Sequence, residues 1–347
     1  MQFVRSDINI DFIGKRKIAF GFSILMILVS IVSLILHRGP RYGIDFVGGT
    51  LIQIKFEAPV QTDDIKAGLE AAGLSKTSVQ RFGEKSENEY LIQTDPSAVA
   101  AQGISDRVEK EVGLKTGIKA EVRRVEVVGP QVGKDLRQKA LFAIFYSLLF
   151  IAIYISGRFE LKWISSAVMA VSLIGAVYLL TILEVSIPLL IISALVVSLI
   201  LFWVLNMKYA MGAIVALIHD VMITVGFFSI LGKEFTLPIV AALLTIIGYS
   251  LNDTIIVFDR IRENLRKYQK QALPFVINRS VNETLSRTLL TSLTTLIVVV
   301  ALFILGGGII HDFAFAMIIG IVVGTYSSIY VASPIIIALQ EYGKRKA

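Results

Sequence analysis

The sequence predicts a polytopic α-helical membrane protein, with about eight transmembrane helices and one α+β domain inserted after the first of them. Three observations predict it. Of the 347 residues, 55% are hydrophobic and only 18% are charged, too little charge to keep a soluble chain of this size in solution. The apolar residues gather in runs long enough to cross a bilayer. One stretch, 38–137, breaks that pattern and reads like a water-facing domain.

Composition also narrows the chemistry. The absence of cysteine removes disulfides, thiol catalysis and cysteine–metal sites. The three histidines, His37, His219 and His311, lie far apart, which argues against a histidine metal cluster, and no cofactor is expected. The net charge of +7 is read as basic cytoplasmic loops flanking apolar runs, with no nucleic acid as partner.

Along the chain, Lys15-Arg16-Lys17 precedes the apolar run 18–36, which resembles a signal peptide at its start. The run is long enough to span. It is followed by His37-Arg38-Gly39-Pro40 with no small-residue cleavage site, so an uncleaved anchor is expected. Residues 1–37 are therefore the N-terminal tail and first span.

Within 38–137, the alternation at 51–56 predicts a half-buried strand, and Thr62-Asp63-Asp64 caps a helix reaching about Leu74. Strands at 77–83 and 89–95, a helix over 97–113 starting at Asp95-Pro96, and a strand at 119–128 follow. The order β-α-β-β-α-β is that of a ferredoxin-like split motif. No nucleophile–base set and no phosphate loop is present, and Gly48-Gly49 is too short to argue a phosphate cradle. A binding or mechanical role suits this domain better than catalysis.

From 138 to 338 the chain reads as a helix bundle, because hydrocarbon leaves a bare backbone no other partner. The spans are 18–36, 138–156, 163–183, 187–206, 210–231, 236–258, 287–305 and 313–338, with 339–347 as a C-terminal tail. Basic residues orient them: Lys15 to Lys17, Arg158 and Lys162, Lys208, the run from Arg260 to Arg279, and Lys344 to Lys346 all fall on one side. The opposite loops carry only Glu184, Lys233 with Glu234, and His311 with Asp312. Both termini are then cytoplasmic and 38–137 lies across the membrane, which for a bacterium is the periplasm or outer face. The stretch 259–282 is read as an amphipathic cytoplasmic loop with its cations against anionic headgroups.

A faint repeat runs at an offset of 50 residues: Arg158-Phe159 with Lys208-Tyr209, Glu184 with Glu234, Pro188 with Pro238. The second copy holds His219-Asp220 and Asn252-Asp253 where the first holds Met169-Ala170 and Phe202-Trp203. The hairpin within about 158–207 is therefore expected to face lipid and to carry no charge chemistry.

Ionisable side chains inside membrane helices are costly and tend to mark pathways. Asp253, flanked on both sides by apolar turns, is the first candidate for a proton relay, with Asn252 beside it. Arg287 starts the next helix at a similar depth, and Thr291, Ser292, Thr294 and Thr295 continue a polar face. Arg287 is equally readable as a snorkelling helix-end arginine. Asp220 and His219, at mid-helix, are either further members of the relay or a structural pair bonded to another helix. Gly320 and Gly324 form a small-xxx-small pattern suited to close helix packing.

At these motifs the chain resembles the SecD/SecF family of protein-export membrane proteins, its SecF branch above all, within the resistance-nodulation-division superfamily. The likeness is carried by Gly43-Ile44-Asp45-Phe46-Val47-Gly48-Gly49, by Val128-Gly129-Pro130 with Val132-Gly133, and by Ile247-Gly248-Tyr249-Ser250-Leu251-Asn252-Asp253-Thr254 running on to Asn264. Arg287-Thr288-Leu289-Leu290-Thr291-Ser292 and Gly324-Thr325-Tyr326-Ser327-Ser328 complete the set, in family order over nearly the whole chain. The resemblance implies a non-enzymatic subunit of the bacterial inner membrane that works with SecD beside the SecYEG translocon. It implies use of the proton motive force to draw unfolded preprotein outward. It also implies relay roles for Asp253 and Arg287, and a signature at the root of the outer domain comprising Gly43, Asp45, Phe46, Gly48 and Gly49. The relay's further carboxylate is expected on SecD. The family usually has six membrane helices, two fewer than counted here. Two alternatives remain: a proton-driven small-molecule transporter of the same superfamily, and a passive assembly subunit for SecD.

Overall fold

The structure, a computed structural model, describes residues 8–74, 77–82, 87–94, 103–161, 163–182 and 187–346. Lys162, Glu184 and the Asp95-Pro96 helix start lie outside the described residues.

Helix α1 (Arg16–Leu36) leads into a one-turn helix α2 (Ile44–Val47) and then the sheet domain. That domain runs β1 (Gly49–Phe56), α3 (Thr62–Ala71), β2 (Ser78–Phe82), β3 (Glu89–Thr94), α4 (Ile104–Thr116) and β4 (Ala120–Val128). The four strands form an antiparallel sheet in the order β2-β3-β1-β4. Alternation along β1 sends Ile52, Ile54 and Phe56 to one face, where they meet Ile92 and Tyr90 of β3. Ile65 and Leu69 of α3 and Val108 and Val112 of α4 cover that face. The two helices touch backbone to side chain at Gly68, where a Cβ would fall 2.7 Å from Val112 Cα.

The membrane part comprises α5 (Pro130–Glu160), α6 (Trp163–Ile182), α7 (Ile187–Val204), α8 (Lys208–Ile230), α9 (Leu237–Lys267), α10 (Leu273–Leu305) and α11 (Gly307–Ser327). A π turn (Ser328–Ala332) and α12 (Ser333–Lys346) follow. Among the described residues six helices are long and apolar enough to cross a membrane: α1, α5, α8, α9, α10 and the continuous Ile310–Glu341. The described apolar parts of α6 and α7, Trp163–Gly175 and Leu195–Val204, are shorter. Met169 and Leu173 of α6 and Phe202 of α7 pack into the core, while Ile164, Val171, Ile192 and Val204 point outward.

One sequence expectation is corrected. The basic stretch 259–282 is not a loop, because α9 continues to Lys267 and α10 starts at Leu273. Arg266 and Lys267 in the last turn of α9 suit the negative end of its dipole, and a proline in the first turn of α10 starts that helix. Its cations are also paired internally: Arg279 Nε lies 2.9 Å and Arg260 Nε 3.8 Å from Glu283, which also accepts from Asn264 Nδ2 at 2.8 Å. The expected span 313–338 lies within the continuous helical stretch Ile310–Glu341, which carries a π turn. Pro334 has no N–H to bond the carbonyl of Tyr330, and the chain widens into the π turn there.

The root of the sheet domain is pinned to the membrane part by the Gly43–Gly49 segment. Gly43 N–H donates to Phe235 O at 2.9 Å, and Phe235 N–H to Arg41 O at 2.7 Å. Asp45 Oδ2 accepts from Leu237 N–H at 2.8 Å and so caps α9. Phe46 is buried against the rings of Tyr42 and Phe235. Gly48 adopts φ 82° and ψ 166°, a region open essentially to glycine, and a Cβ there would lie 2.9 Å from Pro130 Cα. Gly48→Ala is expected to cost roughly 1–3 kcal/mol of backbone strain before any clash is counted. Thermal unfolding and limited proteolysis of the sheet domain should both register the loss, and an unchanged midpoint would refute the close approach.

Glu234, in the α8–α9 connection, forms the other clasp. Its carboxylate accepts from Gln93 Nε2 at 2.7 Å and Gln80 Nε2 at 3.4 Å, and Arg41 lies 3.6 Å away. Burial pushes its pKa up, against the pull of Arg41 and the two amides. The docked state therefore holds a proton more tightly than the undocked one. Docking is strongest below the ordinary carboxylate range and weakens as pH rises through the raised value. Hydrogen exchange at Gly43 and Phe235 should accelerate over that window, and Glu234→Gln should flatten the dependence. A slope of opposite sign would contradict the assignment.

Candidate functional site

The polar residues of the membrane part converge where α8, α9, α10 and α11 meet. On α9, residues Ile246, Ser250, Asp253, Thr254 and Val257 share the buried face, as spacings of three and four residues require. Asp253 is only 1% exposed. Ser292 of α10 stands 3.4 Å from Asp253 Oδ2 and 2.7 Å from Thr325 Oγ1 of α11. Thr325 donates onward to Ile321 O at 2.7 Å. The single Ser292 proton can thus go to the carboxylate or to Thr325. With Asp253 ionised, the carboxylate is the stronger acceptor. With Asp253 protonated, its own O–H can donate to Ser292 and release the Ser292 proton to Thr325.

Asp220 of α8 forms a second polar centre, joined to the first by α9 and α11. Its Oδ2 accepts from Ser250 Oγ at 2.6 Å and Ser327 Oγ at 2.8 Å, while Oδ1 lies 2.9 Å from His219 Nδ1. Both Asp220 and His219 are buried. Close packing of α9 on α11 makes this possible: a Cβ at Gly320 would strike Ile246, and one at Gly324 would sit 2.9 Å from Ser250 Cβ. The Gly320–Gly324 pattern lies in that seam.

Other sequence candidates fall elsewhere. Asn252 is exposed, since one residue turns about 100° around a helix and carries it off the Asp253 face. Arg287 is exposed at its place on α10; it is within electrostatic reach of Asp253 but forms no ion pair with it within 4.0 Å. Of the expected polar face on α10, Thr291, Thr294 and Thr295 bond carbonyls of their own helix, and Ser292 alone of the four turns to the site. Sequence reasoning missed Ser250 and Ser327 as partners of Asp220. Their signal was small polar residues one turn from a carboxylate or beside a helix irregularity.

This is a multi-pass membrane protein whose buried polar chemistry, among the described residues, rests on carboxylates held between helices by hydroxyl groups. The chain belongs to the SecD/SecF family of protein export membrane proteins. The family model described as "Protein export membrane protein SecD/SecF, C-terminal" matches residues 108–200 and again 171–342, and the "SecD/SecF GG Motif" matches 33–60. The two matches overlap over 171–200. A protein translocase subunit SecF of Magnetococcus marinus is 42% identical over 100% of this chain and 97% of its own length. One from Vibrio alginolyticus is 41% identical over 97% and 92%. Among solved structures, SecDF of Thermus thermophilus, described as a translocon-associated membrane protein, superposes with TM-score 0.76 at 31% identity over 98% of this chain. SecDF in a super-membrane-facing form gives TM-score 0.60 at 32% identity over 100% of this chain. In both cases this chain spans 40% of the SecDF chain.

Proposed function

We propose that this chain is the SecF-type subunit of the bacterial Sec export apparatus, coupling inward proton movement to the outward passage of unfolded preprotein. It works with SecD beside SecYEG in the inner membrane. In this reading α6 and α7 are membrane helices of a duplicated hairpin, giving eight spans, and both termini are cytoplasmic. The β-α-β-β-α-β domain, with its 4-1-3-2 strand order read from the other edge, is ferredoxin-like and periplasmic. The lipid bilayer covers the outward apolar faces of α6 and α7.

The observation that carries the proposal is Asp253: a carboxylate almost wholly withdrawn from solvent, at a three-helix seam, facing a hydroxyl chain whose direction depends on its proton. Such a group changes helix packing when it loads or unloads, because an ionised carboxylate away from water demands donors that a neutral acid does not. Arg287 supports the partnership with SecD. An exposed guanidinium on a membrane helix, with no ion pair among the described residues, is costly in hydrocarbon. A partner carboxylate across the exposed Asn252–Arg287 face would neutralise it. Gradient-driven export in vesicles containing the assembled complex, with and without Asp253→Asn, tests the reading.

A further inference from the structure

Among the described residues of the membrane part, Asp220 and His219 are the most deeply buried ionisable residues that the Asp253 relay leaves unused. They head an unbroken chain of contacts to α1. His219 Nε2 lies 3.1 Å from Ser23 Oγ, Ser23 Oγ lies 3.1 Å from Tyr326 Oη, and Tyr326 Oη donates to Ala19 O at 2.7 Å. With the Asp220–His219 contact this makes four hydrogen bonds in series.

Each bond needs one hydrogen. Ser23 and Tyr326 bring one each. The remaining two must come from the Asp220–His219 pair. An imidazolium facing a carboxylate supplies both, and so does a neutral imidazole facing a carboxylic acid. A neutral ring facing a carboxylate supplies only one. Its bare Nε2 would take the Ser23 proton and leave the Ser23–Tyr326 contact with none. The complete chain therefore requires a pair of net charge zero, holding one proton more than the anionic form. Burial favours the same state, since a net charge there is expensive.

We propose that Asp220 and His219 form a second proton-holding site, whose occupancy clasps α1 to α8 and α11. The proton is shared by the pair and belongs to neither residue alone. Ser250 ties it to α9 one turn from Asp253, and the consecutive residues Thr325, Tyr326 and Ser327 serve the Asp253 seam, the α1 contact and Asp220 respectively. The π turn that follows is the kind of helix irregularity found often at functional sites. Among the elements packed on α8, α9 carries Tyr249, Asp253 and the charges from Asp259 to Lys267, α11 carries His311, Asp312 and Tyr326, the π turn carries Tyr330, and α12 carries its charges from Glu341 onward. Helix α1 brings no charge between Lys17 and His37, α5 none between Lys139 and Arg158, and α7 none over Ile187–Val204. Losing the proton removes one hydrogen from the clasp on α1. That helix leads directly into the sheet domain and is otherwise held on α8 by Ser33 Oγ to Ser229 Oγ at 2.8 Å and by Ser30 against Gly226. The role of this site rests on the proton-driven reading above; the proton count does not.

Ring-nitrogen magnetic resonance on the full chain, assembled with its partner in lipid bilayers and labelled with 15N-histidine, tests this. Only three histidines are present, and His219→Gln assigns the signal by its loss. The expected result is a protonated Nε2 on His219 at pH 7, lost in a single step as pH is raised, and in Asp220→Asn an Nε2 that keeps its proton across the same range, because the asparagine amide donates to Nδ1 and has no proton to lose. A bare Nε2 in the native protein at pH 7, or a titration untouched by Asp220→Asn, overturns the proposal. If Nε2 is bare while Asp253→Asn abolishes gradient-driven export, this inference fails alone. If export survives Asp253→Asn, the motor reading fails and the resonance result still decides the second site.

Discussion

Asp253→Asn is expected to reduce gradient-driven export to the level of vesicles with no gradient, while leaving assembly and thermal stability near native. Asparagine keeps the shape of the side chain but cannot take up or release a proton, so the switch in donor direction at Ser292 is lost. The size of the effect follows from the energy each proton carries. A unit charge crossing about 100 mV releases about 2.3 kcal/mol, enough to bias a two-state equilibrium roughly 50-fold. Without a titrating group that bias has no handle. Stability is spared because the amide still accepts from Ser292 and no charge is left buried. Export that retains its dependence on the gradient in this variant would exclude Asp253 as the relay and favour the passive assembly role.

Gly324→Val is expected to be strongly damaging to the packing of α9 on α11. A Cβ at Gly324 would already lie 2.9 Å from Ser250 Cβ and 3.2 Å from its Oγ, and valine adds two methyl groups at that point. Overpacking of this kind costs about 1–3 kcal/mol. It also forces α9 away from α11, which separates Ser250 from Asp220 across a bond of 2.6 Å and disturbs the Ser292–Thr325 contact. Both a lowered unfolding temperature and a loss of export should follow. Adding Ser250→Gly removes the colliding Cβ and should recover much of the stability. It should not recover the function that depends on the Ser250 hydroxyl. Full recovery of export in the double variant would show that the seam matters for packing alone.

The membrane class, the inserted sheet domain and a carboxylate at position 253 within an apolar helix were legible because each depends on local pattern. Apolar run length must match bilayer thickness, strand alternation must follow the pleat, and an ionisable group inside an apolar run is conspicuous wherever it folds. Asp220 and His219 were visible for the same reason, but their meaning was not. Ser23 lies 196 residues from His219, and Ser327 lies 107 residues from Asp220, so nothing in the spacing could join them. Hydroxyl residues were the least legible group. Ser292 and Thr294 look alike in sequence, yet one faces a carboxylate and the other bonds its own helix.

Helix rotation decided the rest. Asn252 and Asp253 are neighbours in the chain, and about 100° of turn sends one outward and the other into the seam. Gly48 shows the same division: as a doublet with Gly49 it carried a family signature, but its physical need, a glycine-only conformation pressed against Pro130, exists only once α5 folds back beside it. By itself the sequence determined the membrane class and that a carboxylate sits within an apolar helix, since these follow from the transfer of local groups between water and hydrocarbon. Tertiary structure alone decided which hydroxyls complete the two carboxylate centres and how a proton on one of them reaches α1, because a hydrogen bond depends on distances of a few ångströms between residues that the chain order leaves far apart.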